Sequence, residues 1–514
     1  MVEMNSKINF KKSIFSDVKE NLNSRLFVFG AIFLTLATFG FTISHFSMGI
    51  DDFGMRYYLD LSPESYGNMI QQGRLLHVVF YYVLGLVDVI PFLNNFLSAI
   101  IMAFSGIVFL SIFNVVGDFQ LNSFQKLLFL GIYLSYPATA FKFIYDLDVV
   151  ITAVSYLFVA ISIIYAFSFA ENLKLKDFML AFLFIIISIG GYESFNAVYI
   201  CGVLFVLIIL YIYRNFKISQ IFKQGSLCAL ILAVSFFIYY GLVKVVQLLT
   251  HNPAYPRSNF FKIDSGKLSI IRWVFTKMFN SKLFFTVEFV ICIFVFILVI
   301  LYFSVFKKKP FVILLGMAFG MFLVIINFLQ GTTLYRACQP YVILISGTAL
   351  LLSVIFSNKK YLKNIVSAAL ALVLIYQLKD INLWFYKDWA NYQKNVYAIH
   401  NIATDLYAEF SVEEKPVCFV NRNYYSFLMS WDEDDFQTEI GESPIVSSVG
   451  FMGDLTSDAT FQLFEMQEYD KLIHPTAEQA EKAVTLAKDM TEYPNEGYIK
   501  EFDDIIVVNL GKSN

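Results

Sequence analysis

The chain has 514 residues, of which 58% are hydrophobic and 15% are charged, whereas soluble domains carry about 25% charged residues. This composition excludes an ordinary soluble protein and indicates an α-helical polytopic membrane protein. The formal net charge of -3 offers no basic surface, so no nucleic-acid partner is expected. The five cysteines form neither a CxxC pair nor a cluster with histidine, which argues against a disulfide framework or a zinc site.

The N-terminal segment, residues 1–25, is polar and carries four lysines before Arg25. The apolar run Leu26–Phe46 follows it, and no small-residue cleavage site comes after that run. We therefore predict a retained first helix with a cytoplasmic N-terminus, rather than a signal peptide.

Long apolar runs continue to about residue 380, so residues 26–380 are predicted to form the transmembrane domain. Judged against roughly 17–25 residues per span, they give about eleven transmembrane helices. After the first run, these are Asn95–Val116, Leu127–Phe141, Val149–Phe169, Phe178–Ile189, Asn196–Tyr213, Leu227–Leu248, Phe284–Phe306, Phe311–Phe328, Pro340–Phe356 and Asn364–Leu378.

The loops between these runs test the alternation, because short cytoplasmic loops are rich in lysine and arginine. With the N-terminus inside, the lysine-rich loops all fall on the cytoplasmic side; they are residues 117–126, 171–177, 214–224, 307–310 and 358–363. The outer connections are then residues 47–94, 142–148, 190–194, 250–282 and 329–339.

The first outer loop carries Asp51, Asp52 and Arg56 directly after the first span. Carboxylates are costly beside hydrocarbon, so an ionisable cluster at this place predicts a functional site. Residues 74–90 of the same loop are long and apolar, but treating them as a span would invert every later loop. We predict an interfacial helix there.

The composition changes after residue 380, and residues 381–514 are predicted to form a small extracytoplasmic α/β domain. The acidic cluster Trp431–Asp435 lacks the spacing and the glycine of an EF-hand, so a solvated loop is favoured over a calcium site. The predicted elements are helices at Asn391–Phe410 and Thr476–Met490 and strands at Lys415–Val420 and Asp504–Leu510.

Ionisable residues recur at the mouths of the outer connections. Arg336 lies in a short connection, Glu193 follows Tyr192 at a break between two apolar runs, and Asp146 and Asp148 precede the fourth span. In a chain with so little charge, we expect these groups to line one outward cavity. Solvation of a helix end is an equal alternative for the two aspartates.

An outward carboxylate pair at a membrane suits inverting glycosyl transfer, in which a base takes the proton of an acceptor hydroxyl. A polyprenyl-phosphate donor would also need cations, and the guanidinium fork suits phosphate oxygens. The outer candidates are Arg56, Arg74, Lys142, Arg257, Lys262, Arg272 and Arg336, although any single outer lysine is also explained as an anchor among lipid head groups.

The order of these features resembles the bacterial glucosyl transferase II family. The resemblance rests on the Asp51-Asp52 pair after the first span, Gly73-Arg74 about twenty residues later, Tyr192-Glu193, and Arg336 before Pro340. It covers roughly Phe27–Gln377 and is weak beyond that range. Where the family often has glutamine after the tyrosine, this chain has Glu193.

The resemblance implies a GT-C type glucosyltransferase that decorates O-antigen or another surface polysaccharide. The implied donor is undecaprenyl-phosphate glucose, the acceptor is a surface glycan, and a donor-synthesising enzyme and a flippase are functional partners. It further implies a catalytic carboxylate at Asp51 or Asp52 and phosphate-binding cations at Arg74 and Arg336. Because arginines alone can hold the phosphate of such a donor, no cofactor is expected, although the carboxylates could take a divalent cation. Two alternatives stay open: a transporter of polysaccharide or lipid-linked sugar, and an O-antigen polymerase or ligase.

Overall fold

A computed structural model shows a mostly helical protein. The structure describes residues 10–47, 63–84, 92–143, 146–252, 287–330, 338–420, 461 and 464–511. Up to residue 420, the helices are α1 Phe10–Asn23, α2 Arg25–Ser44, α3 Pro63–Gln72, α4 Leu75–Leu84, α5 Leu93–Gly117, α6 Ser123–Leu134, α7 Ala140–Phe143, α8 Asp146–Asn172, α9 Leu175–Gly191, α10 Phe195–Tyr213, α11 Ile218–Leu249, α12 Val287–Val305, α13 Phe311–Gln330, α14 Tyr341–Ile355 and α15 Lys360–Glu409.

Each of the eleven predicted apolar runs lies on one or more of these helices. A helix is the expected outcome because it satisfies its own backbone hydrogen bonds where no water is available. Six of the described helices are long and apolar enough to cross a membrane, namely α2, α5, α8, α10, α11 and α15. The prediction of several helices that could span a membrane is therefore confirmed, whereas the count of eleven spans stays a prediction.

The predicted run Leu127–Phe141 is not one helix. Helix α6 ends at Leu134, a short 3₁₀ turn covers Pro137–Thr139, and α7 follows as a single turn. Pro137 has no backbone N–H and disfavours the helical conformation of the residue before it, so the helix stops there. This break places Lys142 of α7 at a corner of the bundle rather than along a straight helix.

The basic loops gather at one end of the bundle, together with α1. Lys11 of α1 forms an ion pair of 3.1 Å with Asp177. Lys126 donates a hydrogen bond of 2.6 Å to the side-chain oxygen of Asn21. Thus the N-terminal helix and two loops predicted on the cytoplasmic side meet, and we call this the basic end.

Two further predicted cytoplasmic loops contact the helix termini at the basic end. Arg214 donates to the backbone carbonyls of Val115 and Val116, the last turn of α5. The ammonium group of Lys309 donates to the carbonyls of Tyr211 and Ile212 at the end of α10. Cations are favourable at helix C-termini, where the carbonyls lack partners within the helix.

The core of the bundle lies between α5, α8, α10 and α14. Phe205 and Ile208 of α10 and Leu344 of α14 are fully or almost fully buried. The outer helices instead carry exposed aromatic residues, such as Phe33 on α2 and Phe237 on α11. Exposed apolar faces of this kind are expected where helices face lipid.

Helix α15 is continuous over 50 residues. The predicted domain boundary at residues 380 and 381 lies within this helix, and the predicted helix Asn391–Phe410 is its second half. No glycine or proline occurs between Lys360 and Glu409, so nothing in the backbone interrupts the helix.

The C-terminal part contains a three-stranded sheet and one described helix, α16 Ala477–Ala487. Strand β1 Val417–Val420 pairs in parallel with β3 Ile506–Asn509, and β2 Ile499–Glu501 pairs antiparallel with β3. The sheet and the second half of α15 share a hydrophobic cluster of their own. Strands β1 and β3 and helix α16 lie within predicted elements, β2 was not predicted, and Trp431–Asp435 lies outside the described residues.

Candidate active site

Four helices bring ionisable and aromatic side chains together at the end of the bundle opposite the basic end. Arg74 and His77 lie at the start of α4, Lys142 on α7, Asp148 in the first turn of α8, and Tyr192 directly after α9. Helix α8 leads from Asp148 to the 171–177 loop at the basic end. We call these five residues the polar cluster.

The backbone before α4 turns sharply to place Arg74. Gly73 has a φ of +74°, which residues other than glycine rarely adopt. The hydroxyl of Tyr239 on α11 donates a hydrogen bond of 2.5 Å to the Gly73 carbonyl and accepts one of 3.2 Å from the Leu75 amide. Helix α11 thereby fixes the turn between α3 and α4.

The glycine pair at the end of α9 allows α4 and α8 to come close. A Cβ atom on Gly190 would lie 3.3 Å from Leu76 Cβ on α4. A Cβ atom on Gly191 would lie 2.5 Å from the hydroxyl oxygen of Ser155 on α8. Helix α9 then ends at Gly191; the backbone of Tyr192 is extended, and its ring lies beside the cations of the cluster. The break predicted at residues 190–194 is thus a close crossing of three helices.

His77 and Asp148 form a buried contact within the cluster. His77 Nε2 lies 2.8 Å from Asp148 Oδ1, and the two side chains are 2% and 12% exposed. Burial lowers the pKa of His77, while Asp148 opposes that shift. A neutral imidazole that faces a carboxylate carries its proton on the facing nitrogen, so Nε2 donates to Asp148.

Two cations share the ring of Tyr192. The Lys142 ammonium lies 3.9 Å from the ring centroid, and the Arg74 guanidinium carbon lies 4.9 Å from it. Both distances are within the range of cation–π attraction, which contributes about 0.5–2 kcal/mol per contact. Lys142 also lies 3.9 Å from Asp148 Oδ2, the carboxylate oxygen that His77 does not bind.

The structure brings together part of the predicted site. Arg74, Tyr192 and Asp148 meet in the polar cluster. Glu193 follows Tyr192, and its carbonyl accepts a hydrogen bond of 3.1 Å from the Asn196 side chain. Asp146 is the first residue of α8, two residues before Asp148. The predicted site residues that lie outside the described ranges are Asp51, Asp52, Arg56 and Arg336.

The predicted site did not include His77 and Lys142. The sequence lists Lys142 among the candidate outer cations but favours an anchor among lipid head groups for any single outer lysine. His77 interrupts an apolar run, and an ionisable residue in such a run predicts a functional group. Within the described residues, no three His, Cys, Asp or Glu side chains gather in a way that could hold a metal ion.

Comparison with known proteins identifies a family. The family model described as "Glucosyl transferase GtrII" matches residues 40–338, which is more than half of the chain and includes the whole polar cluster. No curated protein and no solved structure matches the chain.

Proposed function

The chain belongs to the glucosyl transferase GtrII family, and from this premise we propose that it moves glucose from a polyprenyl-phosphate donor to a surface glycan. The transfer would take place at the outer face of the bacterial cytoplasmic membrane. The observation that carries the proposal is the polar cluster, which lies inside the matched region and at one end of an apolar helix bundle.

A lipid-linked donor requires a site with this placement. Its polyprenyl chain stays in the bilayer, while its phosphate and sugar lie at the interface, where helices end. Arg74 supplies a guanidinium fork that can grip two phosphate oxygens, and Arg336 and Arg56 are further candidates by family resemblance. The apolar side chains of residues 75–80 on α4 offer a rim along which the lipid chain would enter.

The outward orientation follows from the arrangement of charge. Four basic loops and α1 meet at the basic end, and short basic loops are typically cytoplasmic. The polar cluster at the other end would then face outward, with access to a glycan acceptor and to a donor delivered by a flippase. The C-terminal sheet would also be extracytoplasmic, because α15 starts within the basic segment at residues 358–363 and leads away from it.

The proposed reaction is an inverting displacement. Asp51 or Asp52 takes the proton from an acceptor hydroxyl, whose oxygen attacks the anomeric carbon of glucose. The bond from that carbon to the phosphate oxygen breaks, and the phosphate leaves with the bonding electron pair. Arg74 stabilises the negative charge that develops on the leaving phosphate.

Transfer in proteoliposomes tests this function. The full-length protein is supplied with undecaprenyl-phosphate glucose labelled in the sugar and with surface glycan from the producing bacterium, and label in the glycan is measured. We expect transfer by the wild type and a loss of about 10²–10⁴-fold in the variant that lacks the base, Asp51→Asn or Asp52→Asn.

Asp118→Asn is the matched control, because Asp118 lies at the basic end in a left-handed conformation that asparagine also adopts. Near wild-type transfer by both first-loop variants would refute the assigned base. Absence of transfer by the wild type, or passage of labelled lipid across the membrane instead, would refute the function itself.

A further inference from the structure

We propose that Lys142 is a second phosphate-binding residue of the donor site, and that the His77–Asp148 pair positions it beside Arg74. This inference rests on the proposed function and deepens it, because it assigns phosphate binding to Lys142 and a positioning role to His77 and Asp148. It starts from the juxtaposition of two cations on the Tyr192 ring.

The burial of Lys142 is the first observation. The residue is 3% exposed, and lysine is almost never buried to this extent unless it is paired. Its ammonium lies 3.9 Å from Asp148 Oδ2, which is longer than the 2.7–2.9 Å of a charge-assisted hydrogen bond. Asp148 therefore attracts the Lys142 ammonium by charge, without a short hydrogen bond between the two groups.

The second observation is that Asp148 is itself held in place. His77 donates to Oδ1 at 2.8 Å, so the carboxylate has a fixed orientation and presents Oδ2 toward Lys142. His77 and Asp148 act on the donor through Lys142 and are positioning residues. His77 lies on α4, Asp148 on α8 and Lys142 on α7. The His77–Asp148 contact therefore also joins α4 to α8 beside the crossing at Gly191.

The third observation is that Arg74 and Lys142 both contact the ring of Tyr192. Tyr192 keeps an ammonium and a guanidinium on the surface of a single ring, at 3.9 Å and 4.9 Å from its centroid. Two like charges beside one ring repel each other, and an anion bound beside both would relieve the repulsion. A phosphate group offers enough oxygens to take the fork of Arg74 and the ammonium of Lys142 together.

A second cation, Lys142, would also accelerate the reaction, because negative charge on the phosphate increases during transfer. The donor is a phosphodiester with one negative charge, whereas the polyprenyl phosphate that leaves is a monoester with up to two. Charge on the leaving group therefore grows as the anomeric bond breaks. A cation that meets the added charge stabilises the transition state more than the bound donor, so its removal should lower kcat as well as weaken binding.

The test separates binding of the two lipids. In proteoliposomes, kcat and KM are measured for undecaprenyl-phosphate glucose, and Ki is measured for undecaprenyl phosphate as product inhibitor. For Lys142→Met and Lys142→Gln, we expect kcat to fall and Ki to rise, each by roughly 10–100-fold, with a smaller rise in KM. Lys142→Arg keeps the charge and should restore most of the product binding.

Lys244→Met is the matched control, because Lys244 also lies over a tyrosine ring, 5.5 Å from the centroid of Tyr240 on α11, and outside the cluster. It should match the wild type in kcat, KM and Ki. Asp148→Asn should raise Ki less than Lys142→Met does, because the ammonium stays while its orientation is lost. Thermal unfolding of each variant shows whether a loss of activity is a loss of fold.

The outcomes distinguish this inference from the proposed function. If the wild type transfers glucose from the lipid donor and either neutral Lys142 variant keeps the wild-type Ki and kcat, the inference is overturned while the function stands. If the wild type shows no transfer from this donor, the function itself fails. A loss in both neutral variants that Lys142→Arg reverses supports the inference.

Discussion

Replacement of Gly191 by alanine tests whether the crossing of α4, α8 and α9 positions the polar cluster. The added Cβ would lie 2.5 Å from the Ser155 hydroxyl oxygen, 2.9 Å from Ile151 Cγ2 and 3.4 Å from Leu76 Cδ2. The serine cannot turn aside without cost, because its hydroxyl donates a hydrogen bond of 2.8 Å to the Ile151 carbonyl. The helices would have to move apart.

The size of the effect follows from these distances. Carbon atoms in contact rest about 3.5–4.0 Å apart, so α8 and α9 must separate by about 1 Å. Overpacking of this kind typically costs about 1–3 kcal/mol of stability. The effect on catalysis should be larger, because Tyr192 follows directly and a displacement of about 1 Å at a site can cost about 10²-fold in rate.

Gly241→Ala provides the comparison, because no atom lies within 4 Å of its added Cβ on α11. There alanine should be neutral or stabilise the helix by up to about 1 kcal/mol. Thermal unfolding in detergent and kcat/KM for lipid-linked glucose are measured for both variants. Equal melting temperatures and equal kcat/KM values for Gly191→Ala and Gly241→Ala would show that the close crossing does not position the site.

Three further predictions concern other parts of the molecule. Burial lowers the pKa of His77, so the unfolded chain binds more protons at this residue than the folded chain does. The stability of the protein should therefore fall as pH drops below about 6.5, and His77→Asn should flatten the dependence of Tm on pH. An unchanged slope of Tm against pH in that variant would contradict the assignment. Lys309→Met removes the ammonium that holds the last carbonyls of α10, and unfolding in detergent should show a loss of about 1–3 kcal/mol that the exposed neighbour variant Lys308→Met does not share. Tyr498→Phe deletes the hydrogen bond of 2.7 Å to Asp405 Oδ2 between β2 and α15, and calorimetry should show a loss of about 1.5–3 kcal/mol; no change would mean that the bond contributes nothing net.

The positions of the long helices could be predicted because apolar length is a strong constraint on a chain in lipid. Their ends could not, because polar residues also fit into first and last turns. The predicted run Phe178–Ile189 is in fact Leu175–Gly191, since Asp177 is favourable in the first turn of a helix and pairs with Lys11. The sequence shows neither that partner nor its distance.

The sequence predicts the types of residue that form the polar cluster, but it does not predict which residues contact each other. Arg74, Asp148 and Tyr192 are ionisable or helix-break residues in connections that are predicted to lie on the outer side. The contact of His77 with Asp148 joins positions 71 residues apart, and a single sequence identifies residue types without their partners. The glycine break was likewise visible, but the helices that cross there were not.

The shift in composition near residue 380 was interpreted as a domain boundary, although the backbone does not change there. Charged and polar side chains enter the chain without any residue that stops a helix, and α15 runs on. The end of a helix depends on residues such as glycine and proline, whereas the composition of a segment indicates whether lipid or water surrounds it.

This continuity governs how the C-terminal sheet is oriented. At 1.5 Å per residue, the 50 residues of α15 extend about 75 Å, more than twice the roughly 30 Å of a hydrocarbon core. Because no loop intervenes before the helix ends at Glu409, the sheet turns with the helix as a rigid arm. A single residue inserted in the middle of α15 would rotate the sheet by about 100° around the helix axis, so its facing relative to the membrane helices is set by helical phase.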